Sequence, residues 1–173
     1  MEPSLFFKTY GPAVVESTND TNIFPSVKLA QMALETGYGK SIRVAANNAF
    51  GIKAGRSWTG KVVSNSTREE FNGASTYFLG SNIIYPSRQA AINAGEHYQT
   101  LFRVYPSISD SIKDHSRILL KPNFAPAMAA KTPEDQAALL EKCGYATASN
   151  YNETLEWIIN KYELKSWDQK KSS

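Results

Sequence analysis

The sequence predicts a mainly α protein of the α+β class, in which helices surround one small β-hairpin lobe. Three observations carry that prediction. Apolar residues recur at helical spacing before residue 40 and again from residue 87 onward. Between Asn47 and Phe78 the pattern changes to short apolar runs punctuated by Gly, Asn and Ser. Within that stretch, Asn72-Gly73 interrupts Thr67 to Phe78 at the place where a two-residue hairpin turn would sit.

Residues 3 to 17 place Leu5, Phe6, Tyr10 and Ala13 at helical spacing, and Gly11-Pro12 is expected to kink or break that helix. Pro25 and Ser26 open a second helix through Val27, Ala30 and Leu34. Leu29, Met32 and Ala33 on its flank make it apolar nearly all round and therefore buried, and Gly37 is its stop. After the hairpin lobe, helical periodicity is expected from Ser87 to about Phe102 and over Ser107 to Leu120. It returns at Thr132, where Thr-Pro-Glu-Asp reads as N-cap, N1 proline and acidic first turn, and ends at Gly144. A last helix from about Asn150 to Tyr162 presents Tyr151, Leu155, Ile158, Ile159 and Tyr162 on one side. No internal repeat is present, and 173 residues fit a single domain, 1–173, large enough to bury a core without staples.

A hydrophobic content of 42% and a charged content of 20% are ordinary for a soluble globular chain, and only the end, Asp168 to Ser173, reads as disordered. The net charge of +3 comes without Lys/Arg clustering, which argues against nucleic acid as a partner and leaves a polyanionic matrix. Cys143 is the lone cysteine, so there is no intrachain disulfide. With only His97 and His115 beside it, a His/Cys metal site lacks ligands, and neither metal nor cofactor is expected. The segment Met1 to Phe7 has no basic-then-apolar leader, and no apolar run reaches the length of a membrane span. The protein is read as cytosolic, or as exported by information outside this chain.

Glu35 stands at the end of the buried second helix, directly before Thr36-Gly37-Tyr38-Gly39. The carbonyl end of a helix carries partial negative charge, so an ionised carboxylate there loses about 0.3 to 1 kcal/mol when exposed. A carboxyl that resists ionising is a candidate proton donor, and glycoside hydrolysis pairs such a donor with a second, ionised carboxylate. The hairpin offers Glu69 and Glu70. Strand alternation sends them to opposite faces, with Thr67, Glu69 and Phe71 on one and Arg68 and Glu70 on the other, and does not choose between them.

These residues resemble the glucosaminidase family of peptidoglycan hydrolases, to which the hydrolase domain of a flagellar rod-assembly protein and many autolysins belong. Pro25 to Ser41, "PSVKLAQMALETGYGKS", is similar to the family's catalytic-helix motif, with Thr36 and Tyr38 as departures from its Ser and Trp. "NNAFGIKAG" from Asn47 to Gly55 resembles its Asn-x-Phe-Gly-Ile-Lys block, Trp58-Thr-Gly-Lys61 follows in place, and Thr67 to Gly73 resembles its Thr-x-Glu hairpin. "FRVYPS", "SIKDHSRIL" and "GYATASNY" complete the series in order.

The resemblance implies a lysozyme-like helical domain acting on peptidoglycan glycan strands as a monomer, at the cell wall in the periplasm or outside the cell. It implies cleavage of the β-1,4 bond on the reducing side of N-acetylglucosamine. Glu35 carries over as general acid, Glu69 as second carboxylate and Tyr145 as a cleft residue near the reacting sugar. Phe50 and Trp58 are candidate stacking residues for sugar faces. Asn48 and Lys53 are candidates either to orient the hairpin or to contact acetamido and carboxyl groups. His97 and His115 read as surface or helix-packing residues and Cys143 as a small buried hydrophobe. Two departures stand out: Ala148 and Ser149 replace the family's Asp-Pro, and residues 74–101 form an insertion where the family has a shorter return strand. This insertion is aromatic and β-prone at first, then helical in spacing at Ala90, Ala94, His97, Tyr98 and Leu101, and is expected to lie beside the Glu69 hairpin. The alternatives are an N-acetylmuramidase or lytic transglycosylase of the same fold, or a noncatalytic wall-binding module.

Overall fold

The computed structural model describes residues 1–40, 46–71, 73–146 and 150–170. In chain order the elements are α1 (Pro3–Thr18), α2 (Pro25–Thr36), β1 (Val62–Ser64), β2 (Thr67–Phe71), β3 (Ala74–Phe78), β4 (Ile84–Tyr85), α3 (Arg88–Asn93), β5 (Leu101–Arg103), α4 (Ile108–Leu119), α5 (Ala125–Met128), α6 (Pro133–Lys142) and α7 (Tyr151–Lys161). A 3-10 segment, Leu164–Lys170, follows. The chain divides into two compact units, Met1–Ser41 with Ser109–Ser173, and Ile42–Ile108.

The first unit is helical and is organised around α2, which packs against α1, α6, α7 and the C-terminal 3-10 segment. Every residue of α2 from Pro25 to Ala33 is buried, as a helix apolar on nearly all sides must be. Its proline occupies the first turn, where no intrahelical N–H is lost. Its N-terminus is capped from the far end of the chain: Ser26 donates its backbone N–H and its hydroxyl to the two oxygens of Asp168, each at 2.8 Å. A carboxylate there satisfies orphan donors and complements the helix dipole. The terminal residues expected to be disordered are therefore structural as far as Lys170, while residues 171–173 lie outside the described residues. Asp168→Ala should lower unfolding stability by about 1 to 2 kcal/mol. An unchanged denaturation midpoint would show that the cap contributes nothing.

Two further expectations for this unit change. α1 runs unbroken through Pro12. Pro12 and Lys8, four residues earlier, are both exposed, so the carbonyl that proline leaves without an N–H faces water and loses little. The preceding Gly11 is buried because the Trp167 ring lies against it, and a Cβ there would come within 2.4 Å of that ring. The inward face of α1 is Phe6, Phe7, Gly11, Val14 and Thr18, whereas Leu5 is exposed. By contrast, α4, α6 and α7 lie where periodicity placed them, and Thr132 caps α6 by accepting the Asp135 N–H at 3.1 Å.

The second unit holds the strands. β2 and β3 form the expected hairpin, with Glu69 opposite Thr76 and Phe71 opposite Ala74; Asn72 lies outside the described residues. A three-stranded antiparallel sheet, ordered β4-β1-β5, accompanies it. This sheet corrects the expected helix over 87–102. Ser87 caps α3 by accepting the Ala90 N–H, but the helix ends at Asn93, and Gly95 turns the chain at φ 93°. Leu101 and Phe102 then pair with Ser64 and Val63 as strand, burying both residues. Sheet pairing outweighs the helical spacing at the end of that stretch. The core beneath it is Ala54, Val62, Ala91 and Leu101, flanked by Trp58, Tyr85 and Ile92.

Candidate active site

The end of α2 explains why the acid is followed by Thr-Gly-Tyr-Gly. Gly37 adopts a left-handed conformation, φ 54° and ψ 49°, which a glycine tolerates without strain. The Tyr38 N–H returns to the Ala33 carbonyl at 2.9 Å, closing the helix, and the Thr36 hydroxyl accepts the Gly39 N–H at 2.9 Å. Tyr38 then lodges among Phe6, Phe7 and Tyr162 at ring distances of 5.6 to 6.2 Å. Burial, followed by its bond with Tyr162, pushes the Tyr38 hydroxyl up to about 12. Glu35 is thus held on a rigid stop.

By surface area Glu35 is exposed, but loss of hydration around its carboxyl raises its pKa above the ordinary glutamate value. For acidity the second effect governs, because a carboxylate is stabilised by water beyond the layer that touches it. Lys28 and Gln31 precede Glu35 at spacings that put all three on one face of α2, and both are fully buried. Lys28 donates to Ser17 Oγ at 3.0 Å, to the Ile112 carbonyl at 2.6 Å and to Ser116 Oγ, and burial lowers its pKa to about 7. Gln31 donates Nε2 to the Tyr151 hydroxyl at 2.9 Å, while its Oε1 is buried without a hydrogen-bond partner among the described residues. Such an acceptor favours neighbouring groups in their proton-bearing form.

Tyr145 joins this cluster. Its ring lies on that of Tyr151 at 5.7 Å and 30°, and its hydroxyl is 2.6 Å from His115 Nε2. Burial, then Tyr151 and the charge of Glu35, hold the Tyr145 hydroxyl well above its usual pKa, so it stays protonated. His115 is buried and held neutral, first by desolvation and then by the charge of Lys28. The residues that follow, 147–149, including the Ala148-Ser149 departure, lie outside the described residues.

Glu69 and Glu70 are separated by the strand as alternation requires. Arg68 and Glu70 are exposed, whereas Thr67 and Glu69 are half-buried on the other face. Lys53 meets Glu69 there. The backbone from Ile52 to Ala54 runs beside β5, with the Arg103 N–H donating to the Ile52 carbonyl and the Ala54 N–H to the Leu101 carbonyl, both at 2.9 Å. That placement lets Lys53 Nζ donate to Glu69 Oε1 at 2.5 Å, to the Gln99 carbonyl at 2.6 Å and to Thr67 Oγ1 at 3.3 Å. Thr67 also donates to Glu69 Oε1, at 2.8 Å. Partial burial pushes the Glu69 carboxyl up, but these hydrogen bonds and the lysine charge prevail and its pKa is lowered. Glu69 is an ionised carboxylate with Oε1 anchored and Oε2 without a partner among the described residues.

The remaining candidates take different places. Asn48 is buried, and its side-chain amide is spent on the loop: Nδ2 donates to the Ile52 and Arg103 carbonyls and Oδ1 accepts the Ile52 N–H. It therefore orients the segment that carries Lys53. Phe50 is 5% exposed. Trp58 is half-buried, donates to the Lys61 carbonyl at 2.9 Å, and with Tyr105 and Pro106 walls a pocket of about 440 Å³. His97 stacks on Phe78 at 4.3 Å, so the later part of 74–101 packs on its own first strand, β3, the return strand of the Glu69 hairpin. Cys143 is partly exposed rather than buried. Sequence reasoning passed over Lys28, Gln31 and His115 as a group. The available signal, for the first two, was the recurrence of polar residues at 28, 31 and 35 on one face of a helix whose middle is mostly apolar.

The first unit's central helix ends in a carboxyl of raised pKa and the second unit's strands hold one of lowered pKa; glycoside hydrolysis calls for one carboxyl of each kind. The chain belongs to the glucosaminidase family, described as mannosyl-glycoprotein endo-beta-N-acetylglucosaminidase, whose profile matches residues 11–164. It is 32% identical over 150 residues to the peptidoglycan hydrolase FlgJ of Salmonella typhimurium, covering 83% of this chain and 40% of that one. It is 30% identical over 172 residues to a probable N-acetylmuramidase of Lactococcus lactis subsp. lactis, covering 94% of this chain and 34% of that one. The chain thus spans less than half the length of these relatives. Its fold is lysozyme-like, and it superposes on the crystal structure of a peptidoglycan hydrolase mutant from Sphingomonas sp. A1 with a TM-score of 0.73 at 26% identity, covering 96% and 99% of the two chains.

Proposed function

We propose that this chain is the catalytic domain of a peptidoglycan hydrolase that cleaves the β-1,4 bond between N-acetylglucosamine and N-acetylmuramic acid. The observation that carries this reading is the opposite displacement of two carboxyl groups, Glu35 raised by desolvation and Glu69 lowered by Lys53 and Thr67. Glycosidases assign acid and base in this way. Family membership across residues 11–164 and the names borne by FlgJ and the Sphingomonas enzyme support peptidoglycan as the substrate.

In this mechanism Glu35 gives its proton to the glycosidic oxygen as the bond to the anomeric carbon breaks. Glu69, ionised, supports the positive charge that develops on that carbon. Water adds to the anomeric carbon and its proton is returned to a carboxylate. Tyr145, protonated and anchored by His115, orients the reacting sugar, and Trp58 supplies apolar surface to it, with Lys53 positioning Glu69; Phe50, expected as a second stacking ring, is a core residue with no face to offer. The proposal treats the chain as one catalytic domain, acting as a monomer at the cell wall, with 74–101 as its insertion. Acid–base chemistry of this kind calls for no metal or cofactor.

The Lactococcus relative, named a probable N-acetylmuramidase, favours one second reading, cleavage of the other β-1,4 bond by the same groups. Mass spectrometry of digested glycan strands separates the two. New N-acetylglucosamine reducing ends are expected. N-acetylmuramic acid ends would establish a muramidase, 1,6-anhydromuramic ends a transglycosylase, and no new ends at all a noncatalytic module.

A further inference from the structure

The second unit contains a pocket of about 370 Å³ lined by Lys53, Gly55, Arg56, Arg88, Tyr98 and Gln99. Three of the lining side chains, those of Lys53, Arg56 and Arg88, are cationic. Lys53 is answered by Glu69, but neither Arg56 nor Arg88 has an ion pair among the described residues. Arg88 donates Nε to the Ala54 carbonyl at 3.2 Å, which fixes the guanidinium plane while leaving its terminal N–H groups uncommitted. Two guanidinium groups in one concavity repel each other until an anion joins them, and the planar fork of arginine matches a carboxylate in particular. Tyr98, 54% exposed, adds an apolar wall beside the charge.

The origin of these residues narrows the ligand. Arg88, Tyr98 and Gln99 come from the 74–101 insertion, and Gln99 accepts from the same Lys53 Nζ that holds Glu69. The pocket and the second carboxylate therefore share one lysine side chain. A pocket one lysine side chain from Glu69 suits a substituent of the glycan, and those of peptidoglycan that are both anionic and flanked by aliphatic groups are the peptide stems.

We propose that this pocket binds a carboxylate of the peptide stem, so that the insertion makes the enzyme prefer peptide-bearing strands over bare glycan. The proposal rests on peptidoglycan being the substrate. Its test needs no turnover and so stands apart from any failure of hydrolysis. N-acetylmuramyl-tripeptide titrated into the isotope-labelled protein should shift the backbone amides of Gly55 and Arg56 saturably. Arg56→Gln and Arg88→Gln should each weaken binding about tenfold, as should amidation of the peptide carboxylates. Should Arg88→Gln fail to fold, Arg56→Gln decides alone, because Arg56 is exposed and holds no partner among the described residues. Absence of binding, equal affinity for the amidated peptide, affinity unchanged by the Arg56 variant, or tighter binding of inorganic phosphate at the same amides would each overturn the assignment.

Discussion

Glu35→Gln is expected to lower the rate of wall hydrolysis by about 10² to 10⁴, the contribution of a positioned general acid, while leaving the protein folded. The amide keeps the shape of the side chain and cannot supply the proton. Its effect on stability has a definite sign. The folded-state pKa of Glu35 is raised by desolvation, so its favourable contribution is present below the unfolded pKa and is lost as pH rises through the folded value. At neutral pH the ionised carboxylate opposes folding, and it does so at a helix C-terminus, where negative charge is already disfavoured. The Gln variant should therefore unfold at the same or a higher temperature than its parent at pH 7. A variant that was inactive because it had unfolded would assign Glu35 to the scaffold. One that retained activity within a few-fold would remove it from the chemistry.

The residues that made Glu35 legible were local ones. A proline start, a continuous apolar helix and a glycine stop leave a single position at the helix end, and an acid there contradicts the dipole rule unless function requires it. Thr132 and the acidic first turn of α6 were readable for the same reason. What spacing could not reveal depended on distant partners. Leu101 and Phe102 fit a helical stripe and became strand because Val63 and Ser64 lie across from them. Asp168 looked like part of a frayed tail and became the cap of α2, 142 positions along the chain from Ser26. Pro12 should have interrupted α1, and the cost was small because the affected carbonyl faces solvent. On the site itself, alternation separated Glu69 from Glu70 without ranking them. The choice of Glu69 came from the resemblance of its hairpin motif, and the structure adds that Lys53, sixteen positions earlier in the chain, hydrogen-bonds Glu69. His115 was read as a surface or helix-packing residue; it is buried, and its bond to Tyr145 depends on two segments thirty positions apart and has no signature in either.

Glu69→Gln should reduce hydrolysis by about 10²-fold or more, because a neutral amide offers little to a developing oxocarbenium ion, whereas Glu70→Gln should behave as the parent. Glu70 is exposed on the opposite face of β2 and shares no ion pair among the described residues. The pH profile supplies a second readout that folding defects would not imitate. Activity should rise as Glu69, its pKa lowered by Lys53 and Thr67, loses its proton, and fall as Glu35, its pKa raised by desolvation, loses its own, giving a bell. Glu69→Gln should remove the acidic limb from whatever activity remains. Lys53→Gln should move that limb to higher pH, since removing the lysine's hydrogen bond and charge leaves only the Thr67 hydrogen bond to oppose the rise that partial burial imposes on the Glu69 carboxyl. A wall-turbidity assay in which Glu70 mattered and Glu69 did not would reverse the assignment of the two faces. An acidic limb unmoved by Lys53→Gln would show that another group titrates there, and a profile still climbing at pH 9 would rule out Glu35 as the proton donor.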